Sequence, residues 1–270
     1  MLTLLLLTTL PVADETANWA PPPTAAETAI ADSLRNADTP DAVRTVAQRA
    51  MQSLGPDNAS VSVLQDAIES GTNEDAQRAA ESLTYRPLAE APLAKDYPSP
   101  TRLHAIEIKQ LPAYRQAVVT MTKPDEQPKT ESAATLQRKG QSTGAFWSLF
   151  QHIQQNDIAM TAPVRTQYEE PTADAEPASM AFLYRQPTMG QVADGDTVDV
   201  IDVPARTVIS TGIKSDDRKA VADAERRLRQ YLDTHPGYVI DGPLEVLGYN
   251  APMTPANKRI VEVQFPVKQQ

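Results

Sequence analysis

Few side chains in this sequence can do chemistry, and those few are scattered. Cysteine is absent, which excludes disulfide bridges, thiolate-held zinc, iron–sulfur clusters and a cysteine nucleophile. The three histidines, His104, His152 and His235, stand too far apart in the chain for a local metal-ligand pair. No Gly-x-Ser-x-Gly elbow, His-Glu-x-x-His or phosphate-binding glycine loop occurs. Glu107 and Glu262 fall on β-like runs, where a closed sheet could pair them for acid–base work. Strand alternation allows an outward, solvated placement equally well. Met121, Met160, Met189 and Met253 supply soft thioethers, and a Met on a strand is also an ordinary core filler. Arg115, Lys123, Arg138 and Lys139 could meet the carboxylates of a ligand at a cleft mouth. Arg226, Arg227 and Arg229 read as the solvated side of a helix.

The elements that must position these groups fall into two regions. Of 270 residues, 35 are acidic and 25 basic, a net charge of −10, which argues against affinity built on neutralising phosphates. Residues 1–94 hold 13 acids and 5 bases, and so carry most of the excess. The apolar run Leu2 to Leu10 is shorter than the ~20 residues that span a bilayer. It reads as the core of a signal peptide, and with the linker to residue 23 it predicts an exported protein, periplasmic or extracellular, without an integral membrane segment in the mature chain; without a signal peptide the protein would be cytoplasmic. Residues 24–94 read as an acidic helical appendage of modest stability. Its helices are expected near 24–37, 40–53, 59–70 and 73–84, with a start at Thr39-Pro40-Asp41 and stops at Gly55 and Gly71. Nothing in it suggests chemistry, and its charge suits a protein partner.

From residue 95 the pattern becomes β-rich. Short runs at 105–109 and 117–121 flank Leu111-Pro112-Ala113. A helix opening at Gly144 places Phe146, Leu149, Phe150 and Ile153 on one face, with His152 on its flank, and strands follow at 158–168 and 180–185. The order then repeats. Strand 198–202 leads through Val203-Pro204-Ala205 into 207–211, a helix near 216–232 carries Val221, Ala224, Leu228 and Leu232, and closing strands lie at 244–249 and 259–265. Two ββαββ-like copies would pack about a pseudo-twofold axis. Met160-Thr161-Ala162-Pro163 is expected to answer to Ala251-Pro252-Met253-Thr254.

Phe146-Trp147-Ser148-Leu149-Phe150 followed by Asn156 to Val164, with its Met160-Thr161-Ala162-Pro163-Val164 block, resembles the central signature of the SOUL haem-binding family. Tyr249-Asn250-Ala251-Pro252-Met253 and Arg259 to Val263 resemble its C-terminal signature. The resemblance covers roughly residues 95–268. It implies an α+β fold, a distorted antiparallel β-barrel of two repeats with one helix each. It also implies non-covalent binding of haem or another tetrapyrrole in an apolar cleft. A histidine proposed as axial ligand in some relatives falls here on Leu111 or Pro112, neither of which can ligate iron.

The sequence therefore predicts a non-catalytic domain that binds haem or a related tetrapyrrole reversibly, as carrier, buffer or sensor. Arg115, Met121, Arg138, Lys139 and Met160 are its candidate cofactor-binding residues. Two alternatives stand beside it: a module for another apolar small molecule on the same fold, and an enzyme acting on a tetrapyrrole or ester with Glu107 or Glu262 as base.

Overall fold

The computed structural model describes residues 19–121, 131–251 and 253–270. The expected signal peptide and Lys123 lie outside the described residues, as do the side chains of Arg138 and Lys139.

Four helices come first: α1 (Ala25–Arg35), α2 (Pro40–Leu54), α3 (Val61–Ser70) and α4 (Asn73–Thr84). Their ends follow from local chemistry. Thr24 and Glu27 form a reciprocal capping box, Thr39 caps α2 with Pro40 at its first turn, and Thr72 caps α4. Gly71 ends α3 in the left-handed region at φ 65°, which a side chain rarely adopts. The helices pack through Ala31, Leu34, Ala47, Leu64, Ala80 and Leu83, all buried. Small residues let the backbones approach closely.

These helices are not a loose appendage. Glu27, 4 % exposed, takes Arg102 at 2.5 Å and Arg86 at 3.2 Å. Ser62 Oγ accepts the backbone N–H of Ile106 at 2.7 Å. Ion pairs to Arg102 and Lys214 and a hydrogen bond to His104, all beyond the segment, tie the bundle to the rest of the chain.

The remainder is a curled antiparallel sheet with two long helices. Its strands are β1 (Ile106–Leu111), β2 (Tyr114–Thr120), β3 (Val164–Tyr168), β4 (Pro177–Leu183), β5 (Asp199–Val203), β6 (Arg206–Ile213), β7 (Tyr238–Ile240), β8 (Glu245–Gly248) and β9 (Val261–Gln269). The helices are α5 (Glu131–Gln155) and α6 (Arg218–Thr234). The strands run in the order β1-β6-β9-β8-β3-β4-β2-β5, and β7 pairs with β9. Exchange β1, β2, β3 and β4 for β5, β6, β8 and β9, and the order reads the same from the other end. β3 and β8 are the central pair, in register from Val164–Gly248 to Gln167–Glu245.

α5 begins thirteen residues before Gly144, so Gly140 and Gly144 are interior to the helix, at a cost of roughly 1 kcal/mol each relative to Ala. β3 begins only at Val164, after Pro163, whose nitrogen has no hydrogen to give a ladder. Ala162-Pro163 precedes β3, whereas Ala251 follows β8. The two Ala-Pro pairs therefore do not occupy equivalent places, contrary to the expected correspondence.

Alternation along the strands sorts side chains onto two faces. On one, Ala117, Val119, Met180 and Phe182 pack under α5, and Ile209, Val246, Val263 and Phe265 pack under α6. The segment 85–105 crosses the other face. It pairs at Leu93–Ala162 and Leu103–Gly212, and its Tyr97 packs with Leu111, Tyr114, Leu183 and Val208. Gly212 is glycine because that segment touches it: a Cβ there would lie 2.3 Å from Thr101 O and 2.7 Å from Arg102 O.

Candidate functional site

An open cleft of about 470 Å³ lies on the helix-bearing face. Its floor is the central strand pair and its neighbours: Val164 and Thr166 of β3, Val246 and Gly248 of β8, Met180 of β4 and Val261 of β9. β3 and β8 each contribute alternate residues, so apart from Thr166 the floor is apolar as this side of the pleat is. Gly248 leaves the floor open. A Cβ there would meet nothing nearer than Val164 O at 4.0 Å.

One wall is α5. Phe146 and Trp147 line the cleft, and their rings meet edge to face at 6.0 Å. Trp147 remains 55 % exposed, unusual for so large an apolar group unless something covers it. The other wall is the β8–β9 loop, with Tyr249, Asn250, Arg259 and Ile260. Lys214 and Asp216, in the turn before α6, complete the rim. The cleft thus combines an aromatic wall, an aliphatic floor and two cations at its mouth. That combination suits a flat apolar ligand carrying acidic groups.

The β8–β9 loop is held from outside the sheet. Glu90 accepts from Thr254 Oγ1 at 2.7 and 2.8 Å and from Ala251 N at 2.8 Å; Asn250 Nδ2 donates to Leu88 O at 2.6 Å. Tyr85 donates its hydroxyl to Arg259 O. Burial, reinforced by Glu81, pushes the Tyr85 phenol up to about 12, so it stays protonated and remains a donor.

The expected site residues are placed differently from one another. Met121 and Met160 come together in the apolar cluster beneath α5, with Leu149, Ile153 and Met189. Neither lines the cleft; the floor's thioether is Met180, which sequence reading passed over as one more strand residue. Met253 is 91 % exposed. Arg115 is committed elsewhere. It forms a two-pronged pair with Asp202 at 2.7 and 2.9 Å and donates to Gly190 O at 2.8 Å. Leu111 faces the covered side of the sheet, away from the cleft.

The histidines are all engaged. His152 Nε2 lies 2.8 Å from Tyr184 Oη, His104 Nε2 lies 2.8 Å from Glu81, and His235 stacks on Tyr231 at 3.9 Å. Among the described residues no group of three His, Asp or Glu is arranged to hold a metal ion. Arg227 does not lie on a solvated face as expected. It donates to His104 O at 2.6 Å and is held between α6 and that turn.

Glu107 and Glu262 both turn to the covered face, on the far side of the sheet from the cleft. Glu262 is fully buried. It accepts from Tyr249 Oη at 2.7 Å and Thr101 Oγ1 at 2.9 Å and pairs with Lys109. Burial pushes its carboxyl up, but Lys109 and the hydrogen bonds outweigh burial and hold it below the ordinary carboxylate range. Glu107 is pushed up by burial, which outweighs the pull of Lys109 and a hydrogen bond to Thr101. It borders a separate cavity of about 370 Å³ beneath Trp19, Tyr85 and Pro100. Further along the same face, Glu245 takes Arg165 at 2.9 Å, Arg206 at 2.7 Å and Gln264 at 2.6 Å. This side of the curled sheet carries buried ionic and polar side chains beside the apolar cluster around Tyr97, and the open cleft lies opposite.

The family described as SOUL heme-binding protein matches residues 95–266. The chain belongs to the SOUL family. The match spans both long helices and the sheet as far as residue 266 of β9, and excludes the four-helix bundle. No curated protein matches. Among solved structures, the C-terminal domain of EcmrR is similar at a TM-score of 0.44 and 16 % identity, over 62 % of this chain and 99 % of that one. The EcmrR–DNA complex is similar at 0.49 and 12 %, over 92 % and 78 %. A hydrolase from Listeria innocua is similar at 0.40 and 14 %, over 62 % and 93 %.

Proposed function

We propose that this SOUL-family chain binds haem or a related tetrapyrrole, reversibly and without a covalent bond, in the cleft between α5 and the β8–β9 loop. The observation that carries the reading is the pairing of an exposed aromatic wall, Phe146 and Trp147, with an apolar floor kept open at Gly248. Phe146 and Trp147 would hold a macrocycle on one side and Val246 and Val261 on the other, with Lys214 and Arg259 placed for its acidic side chains. When bound, a haem would supply its iron for ligand or electron chemistry. The chain's own residues exclude water from the ring and orient it. The reading is of a carrier, buffer or sensor rather than an enzyme, since Glu107 and Glu262 lie across the sheet from the cleft.

The test is a haem titration of the full chain followed at the Soret band, repeated with Trp147→Ala and Gly248→Val. Saturable binding at micromolar protein that weakens about tenfold or more in both variants supports the reading. Absence of a saturable shift, or binding indifferent to both substitutions, rejects it.

A second reading, another apolar small molecule in the same cleft, is favoured by Leu111, which offers no imidazole and faces away. Native mass spectrometry of co-purified ligand separates the two. We also infer that the two halves of the sheet are copies of one unit. In support, Leu111–Arg206 and Gln110–Thr207 pair across β1 and β6 as Val203–Tyr114 and Asp202–Arg115 pair across β5 and β2, each related by a shift of 92 residues.

A further inference from the structure

The four-helix bundle lies outside the family-matched residues, yet it reaches the cleft at one ion pair. Glu81, in the last turn of α4, divides its carboxylate: Oε2 lies 2.8 Å from His104 Nε2, and Oε1 takes the Lys214 ammonium. Lys214 is one of the two rim cations of the cleft, and its ammonium also sits 5.0 Å from the centre of the Tyr85 ring. Both partners remain substantially open to water, with side chains 38 and 41 % exposed. Such a pair is weak enough to be exchanged for another.

We propose that Glu81 is the charge selector of the cleft: it competes with a ligand's acidic group for Lys214, so that docking of α4 and uptake of an anionic ligand oppose one another. The inference rests on the cleft being the ligand site, and not on the ligand being a tetrapyrrole. An acidic group arriving at the rim meets Lys214 and Arg259 but also Asp216 and, through Lys214, Glu81. The attraction of Lys214 is already largely spent on α4. His104 does not restore it, because burial holds its imidazole below the ordinary value despite the pull of Glu81, leaving it uncharged at neutral pH. Coupling of this kind is reciprocal. An anion that takes Lys214 loosens the end of α4, and anything that draws α4 away frees Lys214 for an anion.

Two naphthalene probes of similar size, anionic 8-anilinonaphthalene-1-sulfonate and neutral N-phenyl-1-naphthylamine, read this without assuming the natural ligand. With the full chain, Glu81→Gln is expected to tighten the anionic probe about two- to fivefold and to leave the neutral one unchanged. The gain should vanish in a Lys214→Met background. In the unaltered protein, hydrogen exchange in the last turn of α4 should quicken with the anionic probe and not with the neutral one, a readout that stands even if Glu81→Gln fails to fold. Equal shifts for both probes, a gain that survives Lys214→Met, no change in α4 exchange, or no saturable binding of the anionic probe would each overturn the proposal. A probe pair that splits as expected while haem fails to bind rejects the tetrapyrrole reading alone. Haem binding without the split rejects the selector alone.

Discussion

Lys109 and Glu262 meet across an intervening strand. Lys109 is on β1, Glu262 on β9, and β6 lies between them, with Ser210 bonded to Thr101 at 2.6 Å beside the pair. The contact fastens an edge strand and the segment 85–105 to the centre of the sheet at one buried carboxylate.

That carboxylate makes stability depend on acid. Its folded value is depressed from the ordinary 4.5, so the unfolded chain takes up the proton first as pH falls. The contribution is fully present above about pH 4.5 and is lost as pH drops through the folded value. Glu262→Gln should cost about 3 kcal/mol at pH 7, by leaving the largely enclosed Lys109 without its counter-charge, and should flatten the decline of stability below pH 4.5. Urea denaturation across pH 3 to 7 checks both. An acid limb of unchanged steepness in the variant would contradict the assignment.

Glu107 carries the opposite sign. Burial raises it above 4.5, so the folded state holds its proton longer, and stability falls as pH rises from 4.5 through the folded value. Glu107→Gln removes that penalty. The variant is expected to melt higher than the parent at pH 7 and to match it at pH 4, in paired thermal scans.

Glu245 is the shared counter-ion of Arg165 and Arg206 in the buried centre of the same face. Glu245→Gln leaves two guanidinium groups facing each other without it, and should destabilise by about 3–5 kcal/mol. Adding Arg165→Met to that variant should restore part of the loss. A double-mutant cycle in chemical denaturation that shows no recovery would refute the shared-partner account.

Gly212→Ala tests the crossing segment. The added methyl would collide with Thr101 O and Arg102 O, which are backbone and cannot swing aside. A loss of roughly 1–3 kcal/mol is expected, with faster hydrogen exchange at His104 N, which donates to Gly212 O at 2.9 Å. Wild-type exchange at that amide would show the contact to be dispensable.

How legible was all this in the letters? The Thr39-Pro40-Asp41 start and the Gly55 and Gly71 stops fall where α2 begins and where α2 and α3 end, because those signals are local. The strands and α6 follow from periodicity for the same reason. Gly144 misled, because a glycine that weakens a helix does not have to end it. The cleft was harder to see. Phe146 and Trp147 stand in a recognisable motif, but Lys214 joins them only because β6 feeds α6 near the central strands. Nothing in the sequence singles out Arg165 and Glu245, and they are buried on the side that residues 85–105 cross. No window of sequence contains that fact.

The placement of the cleft has a kinetic consequence. Since it opens outward over an intact central strand pair, a guest can arrive and depart without any ladder parting. For a ligand bound as proposed, residence time should therefore follow how tightly the rim grips.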